Sequence, residues 1–275
     1  MVAGGGDRDM LLGRDAPVVE HYAPELLYPI PRSEARRALG ITDPLPFSGV
    51  DLWHAYEMSW LDAVGRPVAR VGRFTIPASS PCMVESKSFK LYLNSLNNMR
   101  FPSEDAARET ICSDISAVAG ADVTLELLSP DDPTLAGGSL HGLCLDDRAV
   151  AVPDGEPLGE MLSVRAGEVV EQHYYSHLLR SLCPVTGQPD WATVWLRGRG
   201  QPLDPDSLLG YLLAYRRHQE FHEQCVERMF RDLLQHWSPE SLTIQAFYTR
   251  RGGLDINPLR STDPHARPLP RLNRQ

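Results

Sequence analysis

One order of predicted strands and helices occurs twice in the 275-residue chain, and this repeat limits the fold more than any other feature. Each copy reads as a β-hairpin, two helices and a further strand, because apolar residues alternate in the strand segments and recur at helical spacing between them. In the first copy these segments are residues 52–61, 67–77, 86–99, 103–118 and 123–129. In the second copy they are residues 169–179, 191–198, 204–218, 220–237 and 241–250.

Two short matches place the copies in the same register. The Gly-x-Pro turn at residues 65–67 returns at residues 187–189, an offset of 122, and Phe101 returns as Phe221, an offset of 120. Glycine and proline suit tight turns, so the first match also predicts where both hairpins bend. The two matches in one order favour a duplicated unit, with two unrelated α+β modules as the alternative.

The repeat predicts an α+β chain of two tandem units, each with strands that pair antiparallel and two helices. The two ends of the chain read differently, because proline and polar turn residues dominate there. The predicted domains are an N-terminal arm that wraps or is partly disordered, two units and a tail, at residues 1–48, 49–150, 151–260 and 261–275. Asp204 or Asp206 is predicted to cap the first helix of the second unit.

Composition limits the class of function. The net charge is −9 and the pI about 5.5, and a surface of that sign repels phosphate backbones, so direct nucleic-acid binding is not expected. The five cysteines include no C-x-x-C pair, which argues against a disulfide framework or a zinc site and fits a reducing cytoplasm. The N-terminus lacks the apolar core of a signal peptide, and no apolar run reaches the length of a membrane span.

The thiol of Cys183 lies in the stretch LLRSLCPVTGQPDW, at the predicted bend of the second hairpin. Pro184 and Pro189 restrict the backbone there, so the sulfur is held in one place. A thiol of ordinary pKa is mostly protonated at neutral pH, and Asp190 is a candidate base that could activate it. The residues alone leave open whether Cys183 is a nucleophile or an inert core side chain.

The two copies differ where chemistry is possible. Leu61 is interpreted as the counterpart of Cys183, and Val68 as the counterpart of Asp190. The first copy carries instead VESKSFKLYLNS, residues 84–95, whose two lysines the second copy lacks. The simplest interpretation is one composite site, at the junction between the halves or between copies of the chain.

Four blocks together, ESKSFKLYLNS, CPVTGQPDW, FHE and RRGG, resemble the bimodular class of the NADPH-dependent 7-cyano-7-deazaguanine reductases. Members of this family are nitrile reductases of queuosine biosynthesis. The resemblance covers about residues 50–260. It implies two tandem tunnelling-fold units, each an antiparallel sheet with two helices packed on one face, assembled into barrels by oligomerisation.

The resemblance implies a reaction through a covalent intermediate. Cys183 would attack the nitrile carbon to give a thioimide, which two NADPH molecules in turn would reduce to the aminomethyl product. Asp190 is the implied proton donor, and an aspartate that only caps a turn is the alternative. The pKa of Asp190 would have to be raised, by burial or by a nearby thiolate, for acid work at neutral pH.

The resemblance also implies binding residues in both halves. The implied substrate contacts are Val84, Glu85, Ser86, His222 and Glu223. The implied cofactor contacts are Ser86, Lys87, Arg251 and Gly252. Glu223 would accept two parallel hydrogen bonds from a guanine-like edge, whereas a glutamate at a helix start is otherwise usually solvated. Glu85, just ahead of a helix, could equally be only a cap partner.

The sequence contains no strand followed by G-x-G-x-x-G, so the phosphates of NADPH must be held in another way. Ser86 and Lys87 at a predicted helix N-terminus would offer backbone N–H groups and a cation to an anion. Lys90 and Arg250 are further candidates, with ordinary surface charge as the alternative.

Two other functions remain open. One is a cyclohydrolase-type enzyme of the same fold, for which His173, His177 and Cys183 could be arranged as a zinc set. The other is a deazapurine-binding module without catalysis. We expect a small-molecule deazapurine substrate, no metal, a cytoplasmic homodimer, and neither a membrane nor a nucleic-acid partner.

Overall fold

The computed structural model describes residues 19–275, which divide into two units. The first 18 residues of the predicted arm lie outside the described residues. Unit 1 comprises the described residues up to Ser33, with Trp53–Pro133 and Arg250–Leu254. Unit 2 comprises Glu34–Leu52, Thr134–Thr249 and Asp255–Gln275. The chain therefore passes between the units several times, and the boundaries predicted at residues 48, 150 and 260 remain a prediction.

The described residues form strands, helices and short 3-10 turns. The strands are β1 Pro29–Pro31, β2 Ser48–Leu61, β3 Pro67–Pro77, β4 Cys82–Val84, β5 Thr124–Leu128, β6 Leu143–Cys144, β7 Val170–Leu182, β8 Pro189–Gly200, β9 Ser241–Tyr248 and β10 Leu254–Ser261. The helices are α1 Arg32–Ala38, α2 Ser86–Ser95, α3 Glu104–Ala119, α4 Pro205–Ala214 and α5 His222–His236. The 3-10 turns are Pro24–Leu26, Pro133–Leu135, Gly159–Met161 and Tyr215–Arg217.

Unit 1 is built on the strand order β5-β3-β2, with β3 and β5 antiparallel. Helix α2 packs on these strands through Phe89, whose ring lies 5.3 Å from that of Trp53 and 5.0 Å from that of Phe74. Helix α3 begins where the Ser103 hydroxyl accepts the Ala106 N–H and ends at Gly120, in the left-handed conformation. Both signals are ordinary helix limits, which is why the sequence predicts α3 well.

Unit 2 is built on the strand order β10-β9-β8-β7-β6, antiparallel except for the short parallel pair of β6 with β7. Helix α4 begins at Asp204, whose carboxylate accepts the N–H groups of Asp206 and Ser207, so Asp204 is the cap that the sequence left open. Helices α4 and α5 follow the β7–β8 hairpin as predicted. The α+β class is confirmed.

Strand β10 is absent from the predicted segments, although all eight of its residues are buried. Its first four residues alternate apolar and polar, but Pro258 breaks this pattern and argues against a strand. Two of its polar side chains are hydrogen-bonded to each other, since Asn257 Nδ2 donates to Asp255 Oδ1 at 2.6 Å.

Parts of the predicted arm and tail are packed in unit 2. The Phe47 ring lies 5.5 Å from that of Phe230 in an edge-to-face contact. Near the other end, Leu272 is buried and the Leu269 N–H donates to Gln245 Oε1 at 2.9 Å. Proline-rich composition hid these contacts, because they depend on single buried side chains rather than on a periodic pattern.

The two hairpins share one detail outside their strands. Leu61 at the end of β2 forms a parallel bridge with Arg100, in the loop between the two helices of unit 1. Leu182 at the end of β7 forms the same kind of bridge with Gln219, in the equivalent loop of unit 2. This common detail supports duplication.

The hairpin turns also show which residue of the first copy is the counterpart of Cys183. The Asp62 N–H donates to Arg66 O at 2.9 Å, and the Cys183 N–H donates to Gln188 O at 2.9 Å. Cys183 therefore matches Asp62, and the prediction that it matches Leu61 is wrong. The second turn is one residue longer, which a gapless sequence comparison does not reveal.

Candidate functional site

Cys183 is the first residue after β7, at the start of the turn that leads into β8. Its backbone is held on both sides, since its N–H donates to Gln188 O and its carbonyl accepts the Gly187 N–H, each at 2.9 Å. Gly187 has φ 65°, a conformation that favours glycine. Just before the turn, the Leu182 N–H donates to His218 O at 2.8 Å. The thiol is thus fixed in a tight turn and is 5% exposed.

Asp190 is the second residue of β8 and pairs with Ser181 of β7. Directly paired residues project to the same face of a hairpin, so Ser181 and Asp190 share one side, and Cys183 is the second residue after Ser181. Asp190 is buried. The β7–β8 hairpin thus carries both the predicted nucleophile and the predicted proton donor, and both residues are buried.

His222 opens helix α5 and faces Asp190. Its Nε2 lies 3.3 Å from Asp190 Oδ2. Its ring stacks on that of Tyr248, with centroids 3.7 Å apart and planes 13° apart. Its Nδ1 is buried and makes no hydrogen bond to any group in residues 19–275. Buried polar atoms are normally hydrogen-bonded, so the unbonded Nδ1 needs an explanation, and a bound ligand would be one.

Glu223 is the second residue of α5 and is only 4% exposed. The alternative of a solvated glutamate at a helix start is therefore wrong. A carboxylate can accept two parallel hydrogen bonds, and a guanine-like edge would present two donors. Four of the predicted site residues thus lie on the β7–β8 hairpin and on α5 of unit 2, namely Cys183, Asp190, His222 and Glu223.

Glu85 caps helix α2 in unit 1. Its carboxylate accepts the Lys87 N–H at 2.8 Å and the Ser88 N–H at 2.7 Å, and it is fully buried. Burial raises its pKa, against the lowering effect of these two hydrogen bonds. Val84, directly before it, is also buried, at the end of β4. Glu85 is therefore a cap of α2, and a substrate contact by Glu85 remains a prediction.

The same cap shows that the predicted binding of an anion by the Lys87 backbone N–H is wrong. The backbone N–H groups of Lys87 and Ser88 already donate to Glu85, so they do not offer themselves to an anion. Any anion bound at this end of α2 must be held mainly by side chains.

Those side chains surround one cavity of about 170 Å³ in unit 1. Its lining includes all four predicted cofactor residues, Ser86, Lys87, Arg251 and Gly252, together with Lys90 and Leu254. Three cations thus line one cavity of a chain whose net charge is −9. The turn at residues 250–253 and the first turn of α2 bring them together.

Lys90 and Arg250, the two less certain cations, each have a partner in unit 1. Lys90 Nζ lies 3.3 Å from Glu57 Oε2. The Arg250 guanidinium lies 3.3 Å from the centre of the Tyr56 ring. Lys90 still lines the cavity, whereas Arg250 is held against an aromatic face.

Glu85→Ala is expected to lower the free energy of unfolding by about 0.5–2 kcal/mol, because both capped N–H groups lose their acceptor. Chemical denaturation measures this. Glu85→Gln, which keeps one acceptor oxygen, should lose less. An alanine variant as stable as the unmodified chain would contradict the cap.

The raised pKa of Glu85 predicts the direction in which the stability of the fold changes with pH. Just above the ordinary value of 4.5, the folded chain binds more protons than the unfolded chain, so stability falls as pH rises through this window. The stability advantage over Glu85→Gln should therefore shrink as pH rises through the same window.

Tyr248 and Ser181 were not singled out from the sequence, although both adjoin Asp190 in unit 2. A tyrosine and a serine in strand segments look like ordinary core residues, and no motif marks them.

Within residues 19–275, no three histidine, cysteine or acidic side chains are grouped so that they could hold a metal ion. His177, a member of the alternative zinc set, has its Nδ1 2.8 Å from Thr193 Oγ1. No helix in this part of the chain has the length and apolar character that crossing a membrane requires.

Comparison with known proteins gives two family matches and many relatives. Residues 18–127 match the family model described as "Nitrile reductase, 7-cyano-7-deazaguanine-reductase N-term", and residues 189–266 match that described as "QueF-like protein".

Three relatives are each named NADPH-dependent 7-cyano-7-deazaguanine reductase. The protein of Dechloromonas aromatica is 53% identical over 94% of this chain and 92% of its own length. That of Chromohalobacter salexigens is 50% identical over 96% of both chains, and that of Xanthomonas campestris is 51% identical over 95% of both. The chain therefore belongs to the family of NADPH-dependent 7-cyano-7-deazaguanine reductases.

Proposed function

We propose that this chain reduces the nitrile of 7-cyano-7-deazaguanine to the aminomethyl group of 7-aminomethyl-7-deazaguanine through a thioimide on Cys183. The reaction is a step of queuosine biosynthesis. The observation that carries the proposal is the arrangement in unit 2, where one hairpin carries a cysteine held in a tight turn and a buried carboxylate that contacts His222.

The first step joins sulfur to carbon. The Cys183 sulfur bonds to the nitrile carbon, one carbon–nitrogen π bond breaks, and the nitrogen gains the proton that the thiol loses. NADPH, when bound, supplies one hydride to the thioimide carbon and, from a second molecule, one hydride to the later imine carbon. Between these reductions the carbon–sulfur bond breaks, which separates the imine from the sulfur and restores the thiol. Each reduction also needs one proton on nitrogen.

Asp190 is the proposed source of these protons. Its carboxyl group is buried, away from bulk water. His222, 3.3 Å away, can share and return the proton. Glu223, buried one residue further along α5, would bind the guanine-like edge of the substrate and hold the nitrile toward the sulfur.

The cavity of unit 1 suits the phosphates of NADPH. Lys87 and Arg251 would pair with the phosphate oxygens, and Gly252 lets the backbone come close to the ligand. Ser86 would donate its hydroxyl. Val84, Glu85 and Ser86 would contribute substrate contacts from the same segment.

We also propose a cytoplasmic homodimer with no direct nucleic-acid partner. The described residues of unit 1 place a strand on only one side of β5, and a second copy could cover that edge. The acidic net charge disfavours a nucleic-acid partner.

Intact mass spectrometry tests the proposal directly. The protein mixed with 7-cyano-7-deazaguanine and no NADPH should gain the mass of one ligand, because nothing reduces the thioimide. Cys183→Ala should show no gain.

The matched control is Cys112→Ala, which removes a helix cysteine whose pKa is raised by burial and should leave the adduct unchanged. Absence of an adduct on the unmodified chain, or an adduct that survives Cys183→Ala, would refute the thioimide.

A further inference from the structure

Tyr248 lies directly behind the proposed site. It is the last residue of β9, pairs with Ala192 of β8, and is 1% exposed. Its ring stacks on the His222 imidazole, with the ring centroids 3.7 Å apart and the ring planes 13° apart. Two rings so close and so nearly parallel leave the imidazole little freedom to tilt.

The stacking of the two rings orients the edge of the imidazole that contacts Asp190. Only one imidazole nitrogen, Nε2, reaches Asp190, at 3.3 Å. A ring free to rotate about its bond to Cβ would move Nε2 off the carboxylate, because this torsion has a broad energy well. A tyrosine ring beneath the imidazole removes that freedom without using any hydrogen bond of His222.

The surroundings of the tyrosine hydroxyl are polar and buried. Tyr248 Oη and Ser181 Oγ are both buried, and neither makes a hydrogen bond of ordinary geometry within residues 19–275. The Cys225 thiol and Asp190 also lie near the hydroxyl, and burial, Cys225 and Asp190 all raise the pKa of Tyr248. The phenol therefore keeps its proton throughout the working pH range.

We infer that Tyr248 is a positioning residue for the reaction, and that its ring holds His222 in the plane from which Nε2 meets Asp190. The inference rests on the proposed role of Asp190 as proton donor. Tyr248 acts through His222 and does not contact the reacting atoms. The groups near Tyr248 and His222 are Asp190 on β8, Ser181 on β7 and Cys225 on α5.

Two substitutions separate the ring from the hydroxyl. Tyr248→Phe keeps the stacking ring and removes only the hydroxyl. Tyr248→Leu fills similar space without an aromatic face. The readout that does not depend on turnover is the pH titration of the His222 imidazole by NMR, assigned with His222→Gln.

The expected result is a titration midpoint that shifts in Tyr248→Leu and stays in place in Tyr248→Phe. Turnover should fall about 10- to 100-fold in Tyr248→Leu, the scale of a misplaced reacting group, and its pH profile should shift with the histidine midpoint. Tyr248→Phe should retain most of the turnover and keep a pH profile close to that of the unmodified chain.

Equal midpoints in the unmodified chain and Tyr248→Leu, or equal shifts in both variants, would overturn the inference. If the leucine variant does not fold, Tyr248→Met takes its place. Stacking also predicts an upfield ring-current shift of the His222 ring protons in the unmodified chain, and its absence would count against the inference in the same way.

The adduct experiment keeps this test distinct from the proposed function. An unmodified chain that forms the Cys183 adduct, with a His222 titration indifferent to Tyr248, would refute the positioning role alone. An unmodified chain that forms no adduct would refute the thioimide, whatever the histidine does.

Discussion

Arg260→Met is expected to lower the free energy of unfolding by about 3–5 kcal/mol, because it removes from a buried ion network the cation that two carboxylates share. Arg260 is fully buried in unit 2, with Nη1 2.8 Å from Asp51 Oδ1 and Nη2 2.9 Å from Glu227 Oε1. Arg36 also binds Glu227, at 2.7 and 2.9 Å. Glu227 is one helical turn from Glu223 on α5, so the network also holds the helix that carries the predicted substrate residue.

Urea denaturation of the purified variant measures this loss. The matched control is Arg70→Met, which breaks the ion pair with Glu104, where both side chains are partly exposed and the distance is 2.6 Å. Exposed pairs contribute about 0–1 kcal/mol, so this variant should stay close to the unmodified chain. Equal, small losses in both variants would show that the buried network does not stabilise the fold.

Asp190→Asn should lower the rate of product formation by about 10²- to 10⁴-fold, the usual contribution of a positioned acid–base group. Asparagine keeps the size of the side chain but has no proton to give. The Cys183 adduct should still form when NADPH is omitted, because the sulfur and its turn are unchanged. The block should therefore appear after covalent attachment.

NADPH oxidation and aminomethyl product are the two quantities to measure, alongside intact mass. Asp62→Asn is the control, since Asp62 holds the turn position in unit 1 that matches Cys183, and it should turn over normally. Full activity in Asp190→Asn would leave the aspartate as a turn residue, the alternative that the sequence left open.

Both hairpins, all four long helices and the α+β class were predictable from local patterns. The Gly-x-Pro turns mark the bends because both glycines adopt positive φ, 89° at Gly65 and 65° at Gly187. The cysteine turn and the E-S-K-S block were recognisable for the same local reason, since their residues are contiguous. The roles predicted for these residues still await the experiments described above.

The chain's own sequence determined where its strands turn, where its helices begin and which contiguous blocks carry reactive groups, because each depends on neighbours within a few residues. Tertiary structure alone decided that β10 is a strand covered on both faces and that Tyr248 lies beneath His222. These features depend on burial and on pairs of side chains far apart in the chain, and a hydropathy pattern carries no record of which distant residue will supply the partner.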